Sequence, residues 1–289
     1  METSRLRAFL AAAELGSLTA AAEKLSYTPS GVSQLITALE DDLGLTLLER
    51  SKKGVRLTES GEILMPCVRS FLQNEDALYE TASNILGLSV GSVSVAAYPS
   101  IAAYWLPEII SGFQKKYPRI RVRIMEGIRQ EMEDWIRTGD ADMGFMTCSG
   151  SEDLSWTPIR DDDMVAVLPK DHPLSRGLAY PVNRLESEDF IMPALGHDVD
   201  TDKLLEDLNV TPRIRFTTME NPVAFSMISH GLGMTVCNKL CTELWSGRTA
   251  ILPLDPQYKT TYGIETLKSR HLGPAAREFM SYALEKLKI

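Results

Sequence analysis

Residues 16–44 read Gly16-Ser17-Leu18-Thr19-Ala20-Ala21-Ala22-Glu23-Lys24-Leu25-Ser26-Tyr27-Thr28-Pro29-Ser30-Gly31-Val32-Ser33-Gln34-Leu35-Ile36-Thr37-Ala38-Leu39-Glu40-Asp41-Asp42-Leu43-Gly44, and this stretch decides the fold. Ser17 opens a helix from Leu18 to Leu25, and Tyr27-Thr28-Pro29-Ser30 breaks it. A further helix runs from there to about Leu43. Thr28 is a good N-cap, and Pro29 fits the first helical position, where its missing N–H costs nothing. Gly44 stands just past the last periodic residue as a C-terminal stop. An amphipathic helix that closes at Ala11–Ala13 precedes the pair. Val32, Leu35, Ile36 and Leu39 recur at helical spacing and face a core. Thr28, Ser30, Ser33, Gln34 and Thr37 are left on the opposite side, with Pro29 at their head. Short hydrogen-bonding side chains near a helix N-terminus are the set that a recognition helix carries into a major groove.

Working outward, Glu49-Arg50-Ser51-Lys52-Lys53-Gly54-Val55-Arg56-Leu57 reads as two short strands around Lys-Lys-Gly. Arg50, Lys52, Lys53 and Arg56 put four cations within seven residues. A charge run is most often a solvated loop. Directly after a recognition-type helix, a wing that contacts phosphate or the minor groove, Ser51 included, is the better reading.

Residues 5–66 resemble the N-terminus of LysR-type transcriptional regulators. The resemblance rests on Gly16–Ala22, Thr28–Gln34, Leu39-Glu40, Leu47-Leu48-Glu49-Arg50 and Leu57-Thr58-Glu59-Ser60-Gly61. The length and the rest of the chain suit that family as well. The resemblance implies an α/β protein with an N-terminal winged helix-turn-helix and a long dimerising linker helix. A two-lobed effector domain of the periplasmic-binding-protein type would follow. Gly31 departs from the pattern where the family more often has Ala, and glycine there costs somewhat under about 1 kcal/mol of helix stability. Gln34 stands where many members carry Arg, and Gln prefers adenine to guanine.

Composition agrees. A chain of 289 residues is long enough for two or three domains, and 24% charged and 44% hydrophobic residues mark a globular protein. No apolar run is long enough to span a bilayer, and the N-terminus has no apolar signal region, so we expect a cytoplasmic protein with no membrane partner. The net charge of −9 looks wrong for a DNA binder until it is mapped. Residues 1–57 hold seven Lys/Arg and seven Asp/Glu, so the acidity lies in the remainder and the DNA contact is local. Cys67, Cys148, Cys237 and Cys241 lack paired zinc spacing, and His172, His197, His230 and His271 are scattered, so we expect neither metal nor cofactor. Cys237 and Cys241 lie one helical turn apart if helical, which leaves a redox-sensing regulator of the same fold as an alternative. There is no Gly-x-Ser-x-Gly elbow and no phosphate-binding glycine loop, which weighs against an enzyme. A free-standing solute-binding protein would not carry residues 1–57.

Thr58 can cap a long helix with Glu59 in its first turn. Leu64, Val68, Phe71, Leu78, Ala82 and Ile85 alternate by fours and threes, interrupted by Glu75, as a seam for a partner helix. Pro66 should bend this helix. The expected domains are therefore 1–58 for the winged module, 59–88 for linker and hinge, and 89–289 for the effector domain. Its first lobe would take about 89–161 and 267–289, and its second about 162–266, with crossings near Arg160–Asp162 and Leu267–Ser269. The strand–helix alternation from Val93 onward predicts parallel sheets with a ligand at the carboxyl ends of the strands. Expected cleft residues are Pro99, Ser100, Ile101, Gly127, Ile128, Thr147 and Cys148 from the first lobe. From the second lobe come Pro193, Ala194, Leu195, His197, Glu220, Gly233 and Met234. Ser100, read as a helix N-cap, points to an anion or small carboxylate as effector. The expected partners are double-stranded promoter DNA, that effector, and further copies of the chain as homodimer and homotetramer.

Overall fold

The computed structural model describes residues 2–51, 54–85, 90–148, 150–194, 198–245 and 247–287, without the side chains of 84, 244 and 245. The N-terminal module packs α1 (Thr3–Leu15), α2 (Leu18–Leu25) and α3 (Pro29–Leu43) around Leu6, Phe9, Ala21, Val32, Ile36 and Leu39. Ser17 and Thr28 cap α2 and α3 by accepting from the amides of Ala20 and Gly31, and Gly44 ends α3 with φ 67°. The wing is an antiparallel pair, β1 (Leu48–Ser51) and β2 (Gly54–Leu57), in register from Leu48↔Leu57 to Ser51↔Gly54. Gly54 has φ 120°, and a Cβ there would stand 2.5 Å from the Gly16 carbonyl oxygen, which already accepts the Val55 amide at 2.9 Å. Only glycine satisfies both constraints. The Lys52 and Lys53 of the expected wing lie outside the described residues.

The linker helix α4 (Glu59–Ile85) is 27 residues long and continues through Pro66. Its seam differs from the expected one. Val68 is buried with Met65 and Leu72 in the core of the N-terminal module, and Leu64 packs against that core. Burial against the chain's own module takes these two out of a seam for a partner. Ile63, Phe71, Leu78, Tyr79 and Ile85 are the large apolar residues of α4 left exposed, with Ala82 among them. Glu75, which interrupts the pattern, pairs with Arg7 at 2.8 Å.

The first lobe holds β3 (Gly91–Ala97), α5 (Pro99–Tyr104), α6 (Leu106–Lys116), β4 (Ile120–Glu126), α7 (Arg129–Thr138) and β5 (Met143–Thr147). Strands β4 and β5 both pair parallel with β3. A long strand β6 (Leu154–Leu168) then leaves the lobe. The second lobe follows with β7 (Tyr180–Pro181), β8 (Asp189–Met192), α8 (Val199–Asp207), β9 (Arg213–Thr217), α9 (Asn221–Ser229), β10 (Thr235–Asn238) and β11 (Ala250–Asp255). Strand β12 (Lys259–Leu267) returns to the first lobe, where α10 (Pro274–Leu287) completes its core.

The crossings are now visible. Leu154–Asp163 of β6 pairs antiparallel with β12, and Met164–Leu168 pairs with β10 and β11. The first crossing lies near 160–163, close to its expected place. The second does not lie at Leu267–Ser269. Tyr262 already pairs with Thr147 of the first lobe, so the chain crosses at 259–262 and β12 from Tyr262 onward belongs to that lobe. A strand read from its own sequence carries no mark of the sheet that receives it.

Glu40 ties the wing to α3, since its Oε1 accepts the amides of Leu47 at 2.7 Å and Leu48 at 3.1 Å. Glu40→Ala leaves two part-buried amides unsatisfied, and chemical denaturation should show a loss of about 1–3 kcal/mol. An unchanged midpoint would mean that water replaces the carboxylate without cost.

Candidate nucleic-acid interface and effector cleft

The outer face of α3 presents Thr28, Pro29, Ser30, Gln34 and Thr37 to solvent, with Ser33 half-buried. Thr28 and Ser30 share a hydroxyl contact of 3.1 Å. Arg50 crosses from the wing to α3, donating to Ser33 Oγ at 2.6 Å and Thr37 Oγ1 at 3.2 Å. Two hydroxyls expected to meet bases therefore hold the wing arginine in the free protein. Ser51 and Arg56 are exposed on the wing, where Ser51 Oγ donates to the Gly54 carbonyl.

Between the lobes lies a cavity of about 310 Å³. Of the expected residues, Pro99, Ser100, Gly127, Ile128, Pro193, Ala194 and Glu220 line it. Ser100 is not a cap. The short helix α5 starts at Pro99 behind Tyr98, with no side-chain cap bond, so Ser100 is a second-position residue beside the cavity. Ile101 is buried in the first-lobe core and Met234 in the second-lobe core. Gly233 is where the backbone passes Asp189, whose carbonyl oxygen would stand 2.4 Å from an added Cβ. Cys148 is exposed and does not line the cavity. Leu195 and His197 lie outside the described residues.

Thr147 is buried and does not itself line the cavity, but it links the lobes through Tyr98, Arg129 and Asp200, which do. Its hydroxyl donates to Asp200 Oδ1 at 2.7 Å and accepts from Arg129, while its carbonyl accepts from Arg129 at 3.0 Å. Arg129 and Asp200 lie 3.6 Å apart, each with about a tenth of its side chain exposed. Burial, with the neighbouring charge of Asp198, pushes the Asp200 carboxyl up from 3.8 to about 6. Burial also pushes the Tyr98 hydroxyl far up, and it stands 3.4 Å from Thr147 Oγ1. Cys237 and Cys241 both line the cavity. Their mutual contact, with burial, holds the Cys237 thiol well above the usual range.

The model for bacterial regulatory helix-turn-helix proteins of the lysR family matches residues 3–62, and the LysR substrate binding domain matches residues 87–288. The chain belongs to the LysR family. It is a DNA-binding transcriptional regulator with a domain for a small-molecule effector. YvbU of Bacillus subtilis (strain 168), an uncharacterized HTH-type transcriptional regulator, is 27% identical over 288 residues, covering 99% of this chain and 98% of that protein. In fold, the chain is similar to full-length OxyR from Pseudomonas aeruginosa, with TM-score 0.79 at 24% identity over 99% of this chain and 95% of that one. CbnR in complex with its target DNA gives TM-score 0.69 at 20% identity over 99% of each chain.

For a LysR effector domain, the residues missed from the sequence matter most. Arg129, Asp198, Asp200, Glu126, Glu131 and Asn221 line the cleft, yet none of them was a candidate. A local signal existed for part of this set. Asp198 caps α8 by accepting the Thr201 amide at 2.9 Å, and Asp200 and Asp202 occupy its first turn. An aspartate cap followed by first-turn acids is a helix start that can be read in sequence. The meeting of Arg129 with Asp200 has no such signal, because the two come together only through the fold.

Because folding raises the Asp200 pKa, the protonated form fits the folded state better. Its contribution is therefore present below about pH 4 and is lost as pH rises to about 6. Asp200→Asn keeps an acceptor for Thr147 and removes the charge. Denaturation at pH 8 should find the variant more stable by up to about 3 kcal/mol, with the gap closing by pH 4. A gap independent of pH would assign the effect to packing.

Proposed function

We propose that this LysR regulator works in the cytoplasm as a non-enzymatic switch. In this reading α3 enters a major groove, the wing meets the backbone, and the interlobe cavity takes the effector. The carrying observation is that one cavity is lined by both lobes and bridged by Thr147 and Asp200. A ligand there favours one interlobe arrangement over another only by its difference in affinity for the two. No helix among the described residues is long and apolar enough to cross a membrane.

Gln34, exposed and free of the wing arginine, is assigned to base reading, while Ser33 and Thr37 position Arg50. Arg50→Ala should weaken binding to every duplex and reduce the salt slope by about one unit. Gln34→Ala should instead change the ranking of operator variants, by about 1–3 kcal/mol for a two-bond contact. Gel shifts across a salt series and an operator panel separate the two. A Gln34 variant that ranks operators as the parent does removes it from base reading.

The exposed row Ile63, Phe71, Leu78, Ala82 and Ile85 is proposed to pair two linker helices, placing recognition helices on half-sites about 10 bp or a multiple apart. Phe71→Glu with Leu78→Glu should give monomers by sedimentation, whereas Val68→Ala should lower stability through the module's own core. A double variant that stays dimeric would move the interface elsewhere.

Thiol sensing is the second reading, favoured by the adjacency of Cys237 and Cys241 in the cavity. The raised pKa of Cys237 argues against it, since the thiolate is the reactive form.

A further inference from the structure

A Ser100 N-cap, as expected from the sequence, points to an anion, and the cavity walls point the other way. Five carboxylates line the cavity: Glu126, Glu131, Asp198, Asp200 and Glu220. Arg129 is the one cation in the described lining, and it is engaged by Thr147 and Asp200. Three of the acids are also occupied. Glu131 accepts the Ile128 amide at 3.1 Å, Asp198 caps α8, and Asp200 takes the Thr147 hydroxyl.

Glu126 and Glu220 differ from these. One ends β4 in the first lobe and the other precedes α9 in the second, so they face the cavity from opposite walls. Neither has a hydrogen-bond or ion-pair partner among the described residues. Burial raises the Glu220 carboxyl, and the charge of Glu126 raises it further. Beside Glu220, Asn221 presents a second unmet acceptor. Its Nδ2 donates to Cys241 at 3.6 Å, while its Oδ1 is shielded from solvent without a partner.

Two carboxylates that line one cavity favour positive charge between them. The α5 helix offers no counterweight, being six residues long with Ser100 inside its first turn. A metal ion does not answer this need. The described residues bring no three His, Cys, Asp or Glu side chains together around one point, so the charge is spread along the walls. Between the acids stand apolar surfaces from Pro99, Ala103, Ile128, Pro193, Met219 and Pro222. An extended wall charge with apolar surface between fits a molecule of the same pattern.

We infer that the effector is a small organic cation, an amine or amidine on an apolar body, held between Glu126 of one lobe and Glu220 of the other. This rests on reading the cleft as the effector site. Bound there, the cation offsets the repulsion between Glu126 and Glu220, and it shifts the lobes only as far as it binds one arrangement more tightly than another.

The experiment titrates the full-length protein at low salt with isosteric pairs of opposite charge: benzamidine against benzoate, and putrescine against succinate. At least one cation should bind about tenfold or more tightly than its anionic partner, and added salt should weaken it. Glu126→Gln with Glu220→Gln should lower that affinity by about tenfold or more while the circular dichroism spectrum is retained. The inference is overturned if neither cation outbinds its anion, including the case in which no probe titrates. It is equally overturned if the folded double variant binds the cation unchanged. An operator gel shift of the parent protein in the same preparation keeps failure here distinct from failure of the regulator reading.

Discussion

The antiparallel pairing of β6 with β12 is the constraint on which the rest of the chain depends. Both lobes draw on β6, and β12 carries the chain back beside it, so the cleft exists because two neighbouring strands span it. The register slips between Tyr262 and Gly263, at the crossing itself, where an irregularity lets paired strands bend. The crossing is anchored on the first lobe. Trp105 meets Tyr262 edge-on at 5.2 Å, and the Arg160 guanidinium lies 4.3 Å from the Trp105 ring centroid. Thr147–Asp200 bridges the two lobes beside the cleft.

How far the sequence could be read follows from how local each signal is. The helices of the N-terminal module carry their own caps, periodicity and stops, and Leu18–Leu25 and Pro29–Leu43 appear where those marks put them. The linker was legible in extent but not in orientation. Val68 and Phe71 both fit an apolar seam, and what separates them is the presence of α1 against one and not the other. The cleft was the least legible part. Gly127 and Ile128 follow a readable strand, but Arg129, Glu126 and Asp200 gain meaning only when two segments about seventy residues apart meet across a cavity.

Charge is distributed to match. The N-terminal module is balanced, and part of its positive charge is paired within the chain, with Arg5 on Asp42 at 2.6 Å and Arg7 on Glu75 and Asp76. The surplus of acid in the remainder need not hinder DNA binding if part of it faces an enclosed cleft rather than the duplex, because exposed charges beyond about 10 Å are screened at ordinary salt. The carboxylates in the cleft then serve selection of a ligand, not repulsion of a phosphate backbone.

The remaining question is how an event in the cleft reaches the linker. Strand β12 begins at the crossing and ends at Leu267, and Arg270 follows directly. Its guanidinium is pushed below its usual basicity by burial, and it donates to the carbonyls of Ile136 at 3.2 Å and Ala141 at 2.9 Å and to Gln73 Oε1 of α4 at 3.0 Å. Nearby, Arg69 of α4 pairs with Asp140, the Gln73 amide donates to the Gly139 carbonyl, and Glu80 accepts the Ser92 amide at 3.0 Å. The first lobe and the linker helix are therefore fastened together by several polar bonds, most of them partly buried and some charge-assisted. A swing of the second lobe leaves that fastening intact unless it shifts β12 along its length. The hinge strand and the linker clasp share one continuous segment, residues 259–270.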